Sequence, residues 1–139
     1  MKNFYHHNYI DSIYKGLKES VFFIKNKKIE ADFLFDKLNL YISKIHNNKN
    51  KIFFFGNGAS SAFANHMALD FSKNGKILSR SLSDSSMLTA LSNDYSYEEA
   101  MLEYLKIENP TKDDLIITIS SSGNSKNIIR LLEYCKSKS

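Results

Sequence analysis

The stretch Lys51-Ile52-Phe53-Phe54-Phe55-Gly56-Asn57-Gly58-Ala59-Ser60-Ser61 decides the fold. Ile52 to Phe55 is a short continuous apolar run stopped by Gly56-Asn57-Gly58, the pattern of a strand buried on both faces. A second stretch repeats the design: Leu115-Ile116-Ile117-Thr118-Ile119 runs into Ser120-Ser121-Ser122-Gly123-Asn124-Ser125. Between them the periodicity predicts a helix over 60–72 that stops at Asn74-Gly75, and a weaker strand over 76–80. Ser83-Asp84-Ser85-Ser86 can cap a short helix carrying Met87, Leu88 and Leu91, and a further helix over 97–107 is bounded by Asn109-Pro110. A last helix carries Ile128, Ile129, Leu131 and Leu132. Strands alternating with helices imply an α/β fold built on a doubly wound parallel sheet.

Upstream of Lys51 the period is helical. Ile10, Ile13, Tyr14, Leu17, Val21 and Ile24 recur at spacings of three and four, and Asn26-Lys27-Lys28 breaks the pattern. A second stripe follows with Leu34, Leu38, Tyr41, Ile42 and Ile45, ending in the polar run 46–50. The organisation expected is an N-terminal helical pair over 1–50 and an α/β domain over 51–139. Such a pair can pack on the sheet or form a dimer seam, and the sequence does not choose.

The chain has 139 residues, 42% hydrophobic and 24% charged, which is one ordinary globular domain and excludes general disorder. No apolar run approaches the roughly 18–20 residues of a membrane span. Residues 1–7 carry no apolar core of a signal peptide, so a cytoplasmic protein is expected. A single cysteine, Cys135, excludes an internal disulfide framework and a four-cysteine zinc site. The net charge of +4 is uneven: residues 1–51 hold ten Lys against five acids, and residues 52–139 hold nine basic against ten acidic residues. Only Arg80 and Arg130 are arginines, so the arginine-rich, aromatic-interleaved surface of a nucleic-acid binder is absent and nucleic acid is disfavoured as a partner.

In an open parallel sheet, ligands bind beyond the carboxyl ends of the strands, where both polar loops fall. Each loop leads into a helix whose first N–H groups favour an anion. Gly56, Gly58 and Gly123 permit close approach, and Ser60, Ser61, Ser120, Ser121, Ser122 and Ser125 supply hydroxyls without bulk. A phosphate monoester is the natural occupant, although Ser, Asn and Gly also serve simply as turn and cap residues. A nucleotide cofactor is not expected. No Gly-Lys-Ser/Thr of a P-loop exists, and the dinucleotide fingerprint lacks its third glycine and its acidic residue, where Ser79-Arg80 stands. Arg80 facing a 2′-phosphate leaves a phosphorylated dinucleotide as a poor third choice.

His66 and Asp70 lie four apart on the helix that begins at the first loop. That spacing puts both on one face, able to share a divalent metal or to offer Asp70 as a general base; it is equally the spacing of a solvated helix pair. Asn93-Asp94 and Asp84 read as cap or turn residues, and Tyr95 and Tyr97 as packing or rim residues. His6, His7 and His46 show no pattern, and no His or acidic motif around Cys135 suggests a nucleophile.

Together these residues resemble the sugar isomerase (SIS) family, and within it the phosphoheptose isomerases. The resemblance rests on 56–60, on His66 with Asp70, on Leu88-Thr89-Ala90-Leu91-Ser92-Asn93-Asp94-Tyr95, and on Ile119 to Asn127. It implies a three-layer α/β/α sandwich and a homo-oligomer, tetramer or dimer, with the N-terminal helices at subunit contacts and active sites at interfaces. It further implies isomerisation of sedoheptulose 7-phosphate to D-glycero-D-manno-heptose 7-phosphate through an enediol, supplying lipopolysaccharide or capsule heptose. On this resemblance Ser120, Ser121, Ser122 and Ser125 hold the phosphate, with Asn57, Gly58, Ser60, Asn93 and Asp94 near the sugar. His66 falls at a zinc-ligand histidine, and Asp70 at a glutamate that serves as base and ligand. The chain departs from the family in carrying the shorter Asp70. It also ends before the glutamine and histidine that complete the family's site, and so reads as truncated at its C-terminus. The alternative is a non-catalytic SIS module that binds a sugar phosphate or a protein, as relatives that associate with a replication initiator do.

Overall fold

A computed structural model describes residues 4–138. The chain divides into two compact units, 1–41 and 42–139, each described by itself. The division falls inside a helix, earlier than the boundary at 50 expected from the polar run, because Ile42 and Ile45 already belong to the packing of the second unit.

The first unit contains α1 (Tyr5–Lys18), β1 (Phe22–Ile24), β2 (Lys27–Ile29) and the opening turns of α2 (Ala31–Asn48). The apolar stripe predicted one helix running on to Ile24, but α1 ends at Lys18 and the following residues form an antiparallel hairpin, with Phe22 opposite Ile29 and Ile24 opposite Lys27. Lys25 and Asn26 at its tip have φ of 46° and 64°. Two left-handed residues in succession make the primed two-residue turn whose twist matches a hairpin. The spacing of Leu17, Val21 and Ile24 satisfies a helix, but Phe22-Phe23-Ile24 are aromatic and β-branched and favour a strand. The Phe22 ring meets Phe35 of α2 edge-on, 6.0 Å between centroids. The apolar stripe of α1 stays exposed along its whole length.

The second unit is a three-stranded parallel sheet in the order β4 (Ser79–Ser81), β3 (Ile52–Gly56), β5 (Leu115–Ile119). Every residue of β3 is buried, as a central strand covered on both faces requires. Alternation along β3 sends its side chains to two cores. Ile52 and Phe54 pack with Ile45 of α2, Ile77, and Ala64 and Ala68 of α3 (Ala59–Lys73). Phe53 and Phe55 pack on the other face with Leu91 of α4 (Ser85–Asp94), with Met101, Tyr104 and Leu105 of α5 (Ala100–Ile107), and with Ile128 and Leu131 of α6 (Lys126–Ser137). At about 1.5–3 kcal/mol per buried side chain of this size, the three phenylalanines of β3 are a main source of stability. The result is the doubly wound three-layer sandwich that the alternation of strands and helices predicts.

Asp84 caps α4, accepting from the Met87 N–H at 2.7 Å. Asp114 accepts from the Lys51 and Thr111 N–H groups, both at 2.7 Å, and so aligns the starts of β3 and β5. Helix α3 follows β3 on one face and α6 follows β5 on the other, which makes the β3–β5 boundary the topological switch point. Gly56 pairs with Ile119, so the two polar loops leave the sheet side by side.

Candidate functional site

Two glycines shape the first loop. A Cβ on Gly56 would stand 2.6 Å from the carbonyl carbon and oxygen of Ser60, so only glycine lets the end of β3 press against the first turn of α3. Gly58, which precedes α3, has φ 54° and ψ −124°, a conformation that side chains with a Cβ rarely adopt. Between them Asn57 reaches across the switch point.

There it meets Asn127, which is 3% exposed, on the first turn of α6. The Asn57 amide donates to Asn127 Oδ1 at 2.9 Å, and the Asn127 amide donates back to Asn57 Oδ1 at 2.9 Å. The Tyr97 hydroxyl donates to the same Asn57 oxygen at 2.9 Å. Next to this network lies a cleft of about 70 Å³ lined by Asn57, Gly58, Ser61, Asn65, Leu82 and Tyr97, among others. Asn65 Oδ1 is buried and, among the described residues, has no hydrogen-bond partner.

The serine loop is folded around its own hydroxyls. Ser120 Oγ accepts from the Gly123 N–H and Ser122 Oγ from the Asn124 N–H, both at 3.2 Å, and Ser120 and Ser125 oxygens stand 3.5 Å apart. Ser125 precedes α6, yet its side chain makes no capping bond to the helix. The positive end of the α6 dipole points at the loop, and Lys126 adds a charge there. Glu98 holds the Lys126 ammonium at 2.8 Å and raises its pKa, and Glu99 holds Arg130 at 2.7 Å.

The other residues singled out in the sequence lie as follows. Ser60 sits in the first turn of α3, its N–H donating to the Asn57 carbonyl at 3.0 Å. Ser121 is exposed in the serine loop. Asn93 and Asp94 close α4, exposed, with the Asn93 amide donating to Asp94 at 3.0 Å. None of these four lines the cleft beside Asn57. His66 and Asp70 do approach each other as the spacing predicts, Nε2 to Oδ2 3.2 Å, with side chains 67% and 42% exposed. The Asn74 amide donates to the other Asp70 oxygen at 3.3 Å. Ser61, Ala64 and Asn65 are the α3 residues that line the cleft beside Asn57. His66 supplies a nitrogen and Asp70 an oxygen of the kind zinc accepts, but zinc takes three or four protein ligands. Among the described residues no cluster of three or more His, Cys, Asp or Glu exists, so the pair alone falls short of that number. Among the described residues, too, no helix is long and apolar enough to cross a membrane.

Asn127 is not among the site residues that the sequence singles out, and Tyr97, read there as a packing or rim residue, lines the cleft and donates to Asn57. The signal for Asn127 was its place just inside the helix that follows a polar loop, where a buried amide needs a partner.

Two polar glycine loops meeting at the switch point of a doubly wound α/β domain stand where ligands bind in this class of fold. The chain belongs to the SIS-domain family, whose sequence pattern matches residues 26–139. It is 39% identical over 111 residues to phosphoheptose isomerase 2 of Campylobacter jejuni, covering 76% of this chain and 55% of that protein. It is 42% identical over 101 residues to the phosphoheptose isomerase of Aneurinibacillus thermoaerophilus, covering 68% and 50%. With the phosphoheptose isomerase of Thermodesulfovibrio yellowstonii it shares 32% over 140 residues, 92% and 66%. The chain thus spans about half the length of the first of these curated relatives. Its fold superposes on a phosphoheptose isomerase structure from Francisella tularensis with a TM-score of 0.73 at 18% identity, covering 96% of this chain and 69% of that one. The corresponding enzyme structure from Neisseria gonorrhoeae gives 0.69 at 24% identity, covering 96% and 68%.

Proposed function

We propose that this chain acts as a phosphoheptose isomerase, converting sedoheptulose 7-phosphate to D-glycero-D-manno-heptose 7-phosphate for lipopolysaccharide or capsule heptose, in the cytoplasm. The observation that carries the reading is the Asn57–Asn127 pair, which sets a sugar-facing loop and a serine-rich loop against each other in a chain whose relatives carry that name. Ser120, Ser121, Ser122 and Ser125, with the α6 N-terminus, take the phosphate. Asn57, Gly58, Ser60, Asn93 and Asp94 take the sugar. In an aldose–ketose isomerisation a base removes the proton beside the carbonyl, and a proton returns to the neighbouring carbon of the enediol. Asp70 is the base of this reading, and His66 with Asp70 is the place for zinc, which supplies Lewis-acid stabilisation of an enediolate when bound. Among the described residues no third His, Cys, Asp or Glu stands with the pair.

The same reading makes the protein a homo-oligomer, dimer or tetramer, with active sites at subunit contacts. Supporting this, Phe63 and Leu69 flank His66 and Asp70 on α3 with 65% and 56% of their surface exposed. The apolar stripe of α1, Ile10, Ile13, Tyr14 and Leu17, is likewise bare.

The second reading is a non-catalytic SIS module that binds a sugar phosphate or a protein partner. It is favoured by the placement of His66 and Asp70 away from the cleft. An assay of sedoheptulose 7-phosphate turnover with and without zinc separates the two. Turnover abolished by Asp70→Asn supports the isomerase. Tight sugar-phosphate binding by a folded protein without turnover leaves the module. Ser122→Ala with Ser125→Ala should weaken binding of either kind, and unchanged affinity would reduce the serine loop to capping.

A further inference from the structure

We propose that Asn127 is a positioning residue that fixes the orientation of the Asn57 amide and joins the two loops into one ligand-reading unit. The inference rests on the sugar-phosphate reading and deepens it.

The Ile128 backbone N–H donates to Asn127 Oδ1 at 3.0 Å, and a backbone N–H can only donate, so the Asn127 oxygen must face it. With that oxygen placed, the Asn127 NH2 must face Asn57, and the Asn57 oxygen must turn to receive it. The Asn57 NH2 then returns one hydrogen to Asn127 Oδ1. Flipping Asn57 alone would set oxygen against oxygen and nitrogen against nitrogen. Flipping both would set the Asn127 NH2 against the Ile128 N–H. The polarity of the pair is therefore set by the backbone of α6, and it is sealed by the Tyr97 hydroxyl, which gives Asn57 Oδ1 its second donor.

One consequence concerns specificity. Both lone pairs of Asn57 Oδ1 are taken, and one of the two Asn57 N–H bonds is taken. What remains is a single N–H donor, so Asn57 can bind an oxygen that accepts, such as a sugar carbonyl or a deprotonated hydroxyl, and offers no acceptor of its own. A second consequence concerns coupling. Asn57 and Asn127 are 70 residues apart in the chain, and their pair ties the loop after β3 to the helix that carries the serine loop.

The test uses the full chain with two probes, sedoheptulose 7-phosphate and inorganic phosphate, titrated calorimetrically. The first engages both loops and the second only the serine loop. Asn127→Ala should lose about tenfold or more in affinity for the sugar phosphate while its affinity for inorganic phosphate changes by less than about twofold. Tyr97→Phe, at an exposed position where folding is not at stake, should lose about threefold for the sugar phosphate and nothing for phosphate. A merely structural pair would lower the melting temperature and leave the ratio of the two affinities unchanged in both variants, which would overturn the proposal. Should the unsubstituted chain bind neither probe, the sugar-phosphate reading fails by itself, and the positioning role is decided by the side-chain amide resonances of Asn57. Two separate proton signals, one slow to exchange, that merge or speed up in Asn127→Ala support it, and signals indifferent to the substitution refute it.

Discussion

Replacing Gly56 by alanine tests the close packing on which the site is built. The added Cβ would lie 2.6 Å from the Ser60 carbonyl carbon and oxygen, where ordinary contact begins at 3.4 Å, so β3 and the first turn of α3 must separate by about 0.8 Å. The obstructing atoms are backbone, held by the bond from the Ser60 N–H to the Asn57 carbonyl, and cannot swing away as a side-chain tip does. Overpacking of this kind costs about 1–3 kcal/mol, and the rigidity of the neighbour puts Gly56→Ala near the upper end, about 3 kcal/mol. With a urea slope of about 1.5 kcal/mol per molar, the unfolding midpoint should fall by about 2 M. The same displacement moves Asn57 and the α3 N-terminus, and misplacement approaching 1 Å is enough to cost roughly a hundredfold at a reacting centre, so sugar-phosphate affinity should drop as well. Gly16 is the control, since a Cβ there meets nothing within 4 Å inside α1. Gly16→Ala should be stabilising by about 0.5–1 kcal/mol. A Gly56→Ala protein that unfolds at or above the original midpoint would refute the close-approach argument.

Three further outcomes are expected. Tyr104 is buried, its hydroxyl donates to the Ser81 carbonyl, and its pKa is pushed up to about 12, first by burial and then by the Glu108 carboxylate. The folded state therefore holds the phenolic proton more tightly than the unfolded chain. That contribution is complete below about pH 10 and is lost as pH rises through about 12, up to about 3 kcal/mol in all; Tyr104→Phe should flatten the alkaline fall in urea stability, and an unchanged slope would count against the assignment. Burial raises the pKa of the half-buried Cys135 thiol, so an aromatic disulfide reagent at pH 8 should react with the native chain several times more slowly than with the urea-unfolded chain, and equal rates would contradict the placement. In the hairpin, changing Lys25 to Asn together with Asn26 to Gly relieves two left-handed residues, and amide exchange across 22–29 should slow about fivefold, whereas faster exchange would show that the tip is not a primed turn.

The legible parts of this protein were those that depend on near neighbours. Both long strands stand at the residues their apolar runs predict: β3 is buried throughout and excludes polar residues, and β5, half-buried at the sheet edge, is a mostly β-branched run that admits Thr118. Asp84 was readable as a cap because its partner is three residues away. The hairpin was not, because the Val21–Ile24 segment satisfies helical spacing and strand propensity together, and the Phe22–Phe35 contact that accompanies the strand lies outside that window. The polar loops were readable as loops at the carboxyl ends of β3 and β5 from their glycines and serines.

By itself the sequence determined the α/β alternation and the two loops, since these follow from local composition and period, and its motifs carried the resemblance to the family. The tertiary structure alone decided which side chains meet. It brought Asn127 and Tyr97 to Asn57 from 70 and 40 residues away. It also turned His66 and Asp70 out to solvent, because the alanine stripe of α3, Ala64 and Ala68, is the face narrow enough to lie against Ile52 and Phe54. A four-residue spacing puts two side chains on one face of a helix, but only the sheet it packs against decides where that face points.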